Sequence, residues 1–347
     1  MKDDTWPLGL RIRPAAETSS VEVSDTVTGR RFRWSPEALA GLILDDERRA
    51  AWTEGLRDPG SGRDELAGGW RHWQERGWFP SDQYYVASRR WVYADSDDPR
   101  GEVRTAALQD YLAASGPPPA EVLPDGPVTE LDPPARPADR ELADLLTSRR
   151  TGRRYRDEPV PSEQLSGVLW HGLTGVRERR ERISESDPLS YLDSFGSAWD
   201  VHVCVYAVDG VEPGAYRYDL LGHRLIATRP GDHRHAMIDV LQGQRSPSTA
   251  AWTIGLVADF PRYQWRYRHE HGLRRLYLES GVLGQELAIV AHAYGLSTLI
   301  TPAQKDRAYL ALHGDLPDDR YAPVYTLTMG RSLGTRGHFL ADPGEPA

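Results

Sequence analysis

With 347 residues, 39% of them apolar and 27% charged, the chain can bury a sizeable core and is not a disordered polypeptide; its length accommodates two domains. A net charge of −9 argues against a dedicated nucleic-acid binder, whose binding domain is basic. The single cysteine, Cys204, excludes a disulfide framework within the chain, and no run of about 18 apolar residues is present; with no apolar core in the opening MKDDTWPLGLRIRP, a soluble cytoplasmic protein with no membrane partner is expected.

Taken in chain order, VEVSDTVTGRRFRW (21–34) alternates around a Thr28-Gly29 turn and predicts a hairpin. Ser35-Pro36 then opens a helix, with Ser35 as N-cap and Pro36 at the first helical position. Seven of the eleven tryptophans precede residue 100, which reads as an aromatic core or a peptide-docking surface. Residues 1–115 are therefore expected to form a small α+β, winged-helix-like module. Residues 116–137 hold eight prolines; proline fixes φ and lacks the backbone donor, so this is neither helix nor central strand. A Pro-rich linker over 116–138, a main domain over 139–335 and a tail over 336–347 follow from that division. ADRELADLLTSRR reads as an amphipathic helix running into SRRTGRRYRDEPV, which places five arginines in residues 148–156. SEQLSGVLWHGLTG is a second helix with Ser162 as N-cap and Gly172 or Gly175 near its end. WDVHVCVYAV (199–208) and AWTIGLVADF (251–260) are buried strands, and PGAYRYDLLGHRLIAT is a hairpin turning near Leu221-Gly222. Residues 273–296 form a long helix, apolar at Leu276, Leu283, Leu287 and Val290 and ending at Gly295; residues 322–332 form a last strand. Hairpins among irregularly alternating helices and strands predict an α+β fold with a mixed sheet flanked by helices.

No G-x-G-x-x-G follows a strand, and neither G-x-x-x-x-G-K-[ST] nor G-x-S-x-G occurs. The histidines of HEH (269–271) are two apart and cannot share a helical face; HRH (233–235) can share a strand face, but no ligand cluster accompanies it. No metal is expected. The arginine run stays open between a solvated charge block and an anion socket. Its Thr151, Gly152 and Tyr155 interleave with the charges, and R-R-T-x-R supplies several phosphate donors from one short segment.

SRRTGRRYRDEPV resembles the opening motif of the flavin-dependent nitroreductase superfamily, R-R-S-x-R-x-[FY]. The later segments VEPGAYRYDLLGHRL, LQGQ (241–244), WTIGLVADFPRYQWRYRHEHGLRRLYLESGVLGQEL, GLSTLI and PVYTLTMGRS resemble, in order, the blocks of its SagB-type dehydrogenase branch, covering about residues 140–335. RGWFPSDQYYVASR (76–89) resembles the N-terminal extension of some members. The resemblance implies a nitroreductase-like fold and a homodimer with FMN at the subunit interface. Arg149, Arg150, Thr151 and Arg153 would hold FMN phosphate and ribityl oxygens, and Arg331 would close on the phosphate. Ser194, Gly196 and Ser197, in the altered loop DSFGSAW, would approach the flavin from the partner chain. Gln244 and Gln285 would stand near the ring, and Leu299, Ile300 and Thr301 would present backbone to its edge.

Members of that branch tailor ribosomally made peptides, oxidising azolines to azoles with a Lys-Tyr pair as base. Here the pair reads Arg266-Tyr267. Arginine stays protonated, so Arg266 would steady a developing anion while Tyr267, His269 or His271 accepts the proton. The family's EAGH reads ESGV, which puts Val282 in place of its histidine. The expected activity is therefore an FMN-dependent oxidation of a residue on a precursor or carrier peptide, with a partner biosynthetic enzyme docking alongside. Oxygenation of another side chain, a generic nitro or quinone reductase, and a flavin-poor scaffold that binds peptide or partner enzymes are the alternatives.

Overall fold

The computed structural model describes residues 10–14, 20–25, 31–45, 47–48 and 51–52, isolated positions from 76 to 98, and then 100–182 and 198–333. The chain divides into two compact units, Met1–Asp97 and Asp98–Ala347.

In the first unit, β1 (Leu10–Pro14), β2 (Val21–Asp25) and β3 (Arg31–Trp34) form an antiparallel sheet in that order. The β2–β3 register runs from Val21 opposite Trp34 to Ser24 opposite Arg31, which is the predicted hairpin; its turn lies outside the described residues. The helix α1 (Pro36–Leu44) starts where Ser35-Pro36 requires, with Ser35 Oγ accepting from the Ala38 amide at 3.1 Å. Phe32, Trp34 and Trp52 cluster with ring centroids 4.8–6.3 Å apart. Most of the tryptophan-rich stretch 70–93, on which the winged-helix-like reading rests, lies outside the described residues.

The second unit begins upstream of the Pro-rich segment, with α2 (Glu102–Ser115). The segment expected to divide the chain is tied along this unit. Gly116 O accepts from Trp265 Nε1 at 2.9 Å, Pro127 O from the Ala227 amide at 2.9 Å and Asp132 O from Ser166 Oγ at 2.5 Å, while Ala135 O accepts from the Tyr294 hydroxyl. A proline-rich strand lacks donors but keeps its carbonyls, so these ties run through carbonyl oxygens. Its β4 (Val128–Glu130) is an edge strand, the place in a sheet that tolerates nearby prolines.

After α3 (Leu142–Ser148), α4 (Ser162–Gly172) and α5 (Thr174–Arg182) come β5 (Trp199–Val205), β6 (Gly214–Asp219), β7 (Arg224–Pro230) and α6 (Arg234–Val240). The chain continues through β8 (Trp252–Asp259), α7 (Phe260–Arg266), α8 (His271–Ala293), β9 (Leu296–Thr301), α9 (Asp306–Leu312) and β10 (Tyr321–Arg331). One seven-stranded sheet results, in the order β4-β7-β6-β5-β8-β10-β9. Every ladder in it is antiparallel, and parallel pairing is confined to isolated bridges at Thr151–Thr298 and Val160–Val208. The α+β class is as expected. Both faces of the central strands are covered: Val201 and Val203 belong to the cluster with Leu165, Leu169, Leu283 and Leu287 of α4 and α8, whereas Cys204 belongs to that of Met237 and Tyr309 from α6 and α9. Burial on both faces explains why VHVCV reads as a continuous apolar run instead of an alternation. Burial pushes the Cys204 thiol up to about 12, so it packs as a small hydrophobe.

Two local expectations are corrected. Ser162 is the first residue of α4, not its cap, and its hydroxyl turns to the Asp132 carboxylate. His233-Arg234-His235 opens the helix α6 and so lies on no strand face. Among the described residues no helix is long and apolar enough to cross a membrane, and no group of three or more His, Cys, Asp or Glu residues is placed to hold a metal ion.

Candidate functional site

The arginine run begins where α3 ends. Arg149 leaves the helix in an extended conformation, and after Arg150 the next two residues are stitched to β9: Thr151 bridges Thr298, and the Gly152 amide donates to Thr298 O at 3.2 Å. The approach is close enough to require glycine, since a Cβ on Gly152 would stand 2.6 Å from Ser297 Cβ. Tyr155 then locks the segment. Its hydroxyl lies 2.9 Å from Gly152 O and 2.8 Å from Thr328 O, and its ring occupies the space a side chain at Gly330 would need. Tyr155 is thus a packing residue, buried with its phenol pushed far above the ordinary range by burial. The Arg156 amide donates to Arg331 O at 3.0 Å, and Arg331 Nε donates to Pro159 O at 3.0 Å, so the end of β10 joins the same end of the sheet.

The positive charge converges here. Ser148 Oγ sits 2.8 Å from His292 Nε2, Arg140 donates to the same hydroxyl at 3.0 Å, and burial followed by the charges of Arg140, Arg149 and Arg150 holds His292 below its usual range. Arg149 is half-buried, while Arg150 and Arg153 are exposed. The guanidinium groups of Arg140, Arg149 and Arg150 gathered around Ser148 and His292 are a donor set suited to a phosphate, which takes hydrogen bonds on several oxygens at once. His292 was missed from sequence; its position in the last turn of the long helix that packs beside the arginine run became meaningful only in the fold.

Farther along β9, beginning one residue past Thr298 and reaching Thr301 about 10 Å on at the usual rise of a strand, lies the second group of predicted residues. Leu299 is buried, Ile300 half-buried, and Thr301 Oγ1 accepts from Gln244 Nε2 at 3.2 Å and from the Ala303 amide at 3.1 Å. The predicted Gln244 and Thr301 are therefore brought together. Gln285 is exposed on α8, next to Gly284, whose close packing on Tyr325 and Ile300 fixes that turn of helix. Ser194, Gly196 and Ser197 lie outside the described residues. Beyond Thr301, at Pro302, a cavity of about 490 Å³ opens between α8 and the start of β10.

Arg266 is the last residue of α7 and Tyr267 caps it. The Tyr267 ring packs against Tyr263 at 4.7 Å, with the Arg266 and Arg275 guanidiniums 5.5 and 5.3 Å from its centroid and the His269 ring at 6.0 Å. Burial lowers the Arg266 pKa, and burial with neighbouring His271 lowers that of His269. Two guanidiniums thus flank the Tyr267 ring.

What holds α7 in place was not read from the sequence. Glu121 of the Pro-rich segment pairs with Arg180 at 2.7 Å and Arg217 at 2.5 Å; Arg217 pairs with Asp200 at 2.5 Å; Asp200 also takes Arg262, which pairs with Asp259 at 3.1 Å, and Asp259 takes Arg320 at 2.8 Å. Asp259 is also the N-cap of α7, accepting from the Arg262 amide at 3.3 Å. The cap signal Asp-Phe-Pro was legible, whereas the ladder behind it was not.

Residues 146–331, more than half of the chain, match the nitroreductase family. The trifolitoxin operon protein TfxC of Rhizobium leguminosarum bv. trifolii is 29% identical over 286 residues, covering 80% of this chain and 78% of that one. A solved structure described as a nitroreductase, from Anabaena variabilis, aligns with a TM-score of 0.50 at 22% identity over 62% of this chain and 44% of that one, so this chain spans less than half of that relative's length. A further nitroreductase structure, from Exiguobacterium sibiricum and solved in complex with FMN, aligns at 14% identity over 60% of this chain and 94% of that one, with a TM-score of 0.37. Nitroreductase-family enzymes are FMN-dependent oxidoreductases, and this chain belongs to the nitroreductase family.

Proposed function

We propose that this chain is an FMN-dependent oxidoreductase of the SagB-type branch that tailors a ribosomally made peptide natural product, dehydrogenating one of its residues, as in azoline-to-azole oxidation. The observation that carries the reading is the stitching of Thr151 and Gly152 to β9 at Thr298, which sets the arginine run beside the strand that carries Leu299, Ile300 and Thr301. Arg149, Arg150, Thr151, Arg153 and Arg331 would hold the FMN phosphate and ribityl oxygens, and Gln244 and Thr301 the ring edge. When bound, FMN supplies the two-electron acceptor. Arg266 would steady negative charge developing on the substrate, and Tyr267, acting as phenolate, would take the substrate proton and become the neutral phenol. The relationship to a trifolitoxin operon protein supports a peptide substrate. An exposed apolar stripe on α8, at Leu278 and Val282, supports a homodimer that would bring Ser194, Gly196 and Ser197 of one chain toward the flavin of the other. The first unit would dock the peptide or a partner enzyme, in the cytoplasm.

The test is flavin content of the purified full chain. Yellow protein is expected, with bound flavin lost in Arg149→Ala/Arg150→Ala while the fold is retained by circular dichroism. Colourless wild-type protein that takes up no added FMN would overturn the reading in favour of a flavin-free scaffold.

A further inference from the structure

The cavity beyond Thr301 owes its wall to a break in strand geometry. Successive side chains of a regular strand point to opposite faces. At the start of β10, though, consecutive residues from Pro323 to Tyr325 all line the cavity, because the register with β8 shifts between those two. Such a bulge re-aims side chains and recurs beside active sites. Phe260 at the start of α7, Tyr277 and Gly281 of α8 and Asp306 of α9 complete the lining that matters here. Its volume, about 490 Å³, and its mainly apolar walls are those of a small-ligand pocket.

Two glycines of α8, three residues apart, behave differently. Gly284 is closely packed, since a Cβ there would stand 3.0 Å from the Tyr325 ring, which would have to give by a few tenths of an ångström. Gly281 has nothing within 4 Å of where its Cβ would be. Glycine inside a helix is destabilising relative to alanine, and no neighbour asks for this one. It lies in the cavity wall, where the missing side chain leaves the space open. Asp306 supplies the one charged side chain of the lining. Its cationic neighbours are engaged elsewhere, Lys305 with Asp239 and Arg307 with Asp318, both at 2.6 Å. Partial burial raises the Asp306 pKa, so its carboxylate gains from a cation brought by a ligand.

We propose that this cavity receives one aromatic or branched apolar side chain of the peptide substrate, with a cationic residue beside it over Asp306, and that Gly281 sets the size accepted. The proposal rests on the peptide-oxidoreductase reading and names the substrate's recognition element. At 100° per residue, the stripe of Leu278 and Val282 lies about a quarter-turn around α8 from Tyr277 and Gly281, so the face proposed for a second copy is not the cavity wall.

The experiment follows fluorine NMR line widths of N-acetyl-para-fluorophenylalanyl-arginine amide with the full chain, its flavin content measured in the same sample. Wild-type protein should broaden the line. Gly281→Leu fills open space with a good helix former, so it should raise the melting temperature yet bind the probe roughly tenfold more weakly, having lost the burial of one apolar side chain. Asp306→Asn should weaken this probe but not its norleucine-amide counterpart. Equal broadening by wild type and Gly281→Leu, or none by either, overturns the proposal. So does a Gly281→Leu chain that changes its sedimenting mass while the probe is unaffected, which would assign the cavity to a second copy. A flavin-loaded sample that ignores the probe refutes the pocket alone, whereas a sample that holds no flavin refutes the oxidoreductase reading beneath it.

Discussion

Asp200→Asn tests whether the buried charge ladder holds the second unit together. The side chain of Asp200 is 5% exposed and takes two guanidiniums, those of Arg217 and Arg262, whose side chains are 4% and 7% exposed. The ladder holds four arginines (180, 217, 262, 320) and three carboxylates (121, 200, 259), an excess of one positive charge. Substituting Asn keeps the volume but raises that excess to two and leaves two buried cations facing each other. At an effective dielectric of about 20, each pair contributes about 4 kcal/mol of Coulomb attraction at 4 Å. Part of that offsets desolvation already incurred, and removal of one partner from a buried pair costs about 3–5 kcal/mol. For a unit of this size that corresponds to a melting temperature lower by roughly 6–20 °C. The exposed pair Lys305–Asp239 is the control: its side chains are 50% and 69% exposed, and Asp239→Asn should cost at most about 1 kcal/mol. Urea denaturation followed by far-UV circular dichroism reads both. Asp200→Asn/Arg262→Met removes a cation together with its partner and should recover part of the loss. A cost below about 1 kcal/mol for Asp200→Asn, or a double variant worse than the sum of its singles, would refute the reasoning.

The histidines beneath α9 give a pH prediction. His202 and His313 are 2% and 1% exposed with ring centroids 4.9 Å apart, and burial, with Arg217 beside His202 and His202 beside His313, holds both well below the usual 6.5. Because the folded-state pKa is the lower one, the unfolded chain binds protons first as the pH falls. Stability is present in full above about pH 6.5 and declines below it, by up to about 1.4 kcal/mol per pH unit for each histidine. Urea midpoints between pH 7.5 and 5.5 should show that decline, and His313→Phe should flatten it by about half; an unchanged slope would count against the burial argument. For the base assignment, Tyr267→Phe should slow single-turnover flavin reduction by about 10²–10⁴-fold, as loss of a general base does. Arg266→Gln should slow it less, and unchanged rates in both variants would remove the pair from the chemistry.

The elements that could be read in advance are those written in contiguous residues. The hairpin ending at Trp34, the run VHVCV, the turn at Leu221-Gly222 and the long helix ending before Gly295 each carry their pattern within one window, and each stands where the pattern puts it. The arginine run was legible for the same reason: Arg149, Arg150 and Thr151 are adjacent, and the glycine that lets Thr151 approach β9 is the next residue. The ladder was not, because its members at 121, 180, 200, 217, 259, 262 and 320 follow no period and come from the Pro-rich segment, two helices, three strands and one connecting position. Only pairing in three dimensions makes burial of those charges tolerable, so the sequence alone favours placing each at the surface.

The same distinction separates the two ends of the candidate site. A phosphate is met by groups that reach outward from a short loop, and their types announce the task. The cavity beyond Thr301 depends on residues from 260 to 325, on a bulge beside Pro323 and on what Gly281 lacks. An absent side chain has no signal until its neighbours are known to be distant: in sequence Gly281 and Gly284 are equivalent helix-weakening residues, while in the fold one lies close against Tyr325 and the other faces open space. Cofactor binding can therefore be inferred from a motif, but the choice of substrate is a property of assembled space. Substitutions that alter what this protein oxidises are accordingly expected at α8 and the start of β10, and those that abolish its flavin at residues 149–153.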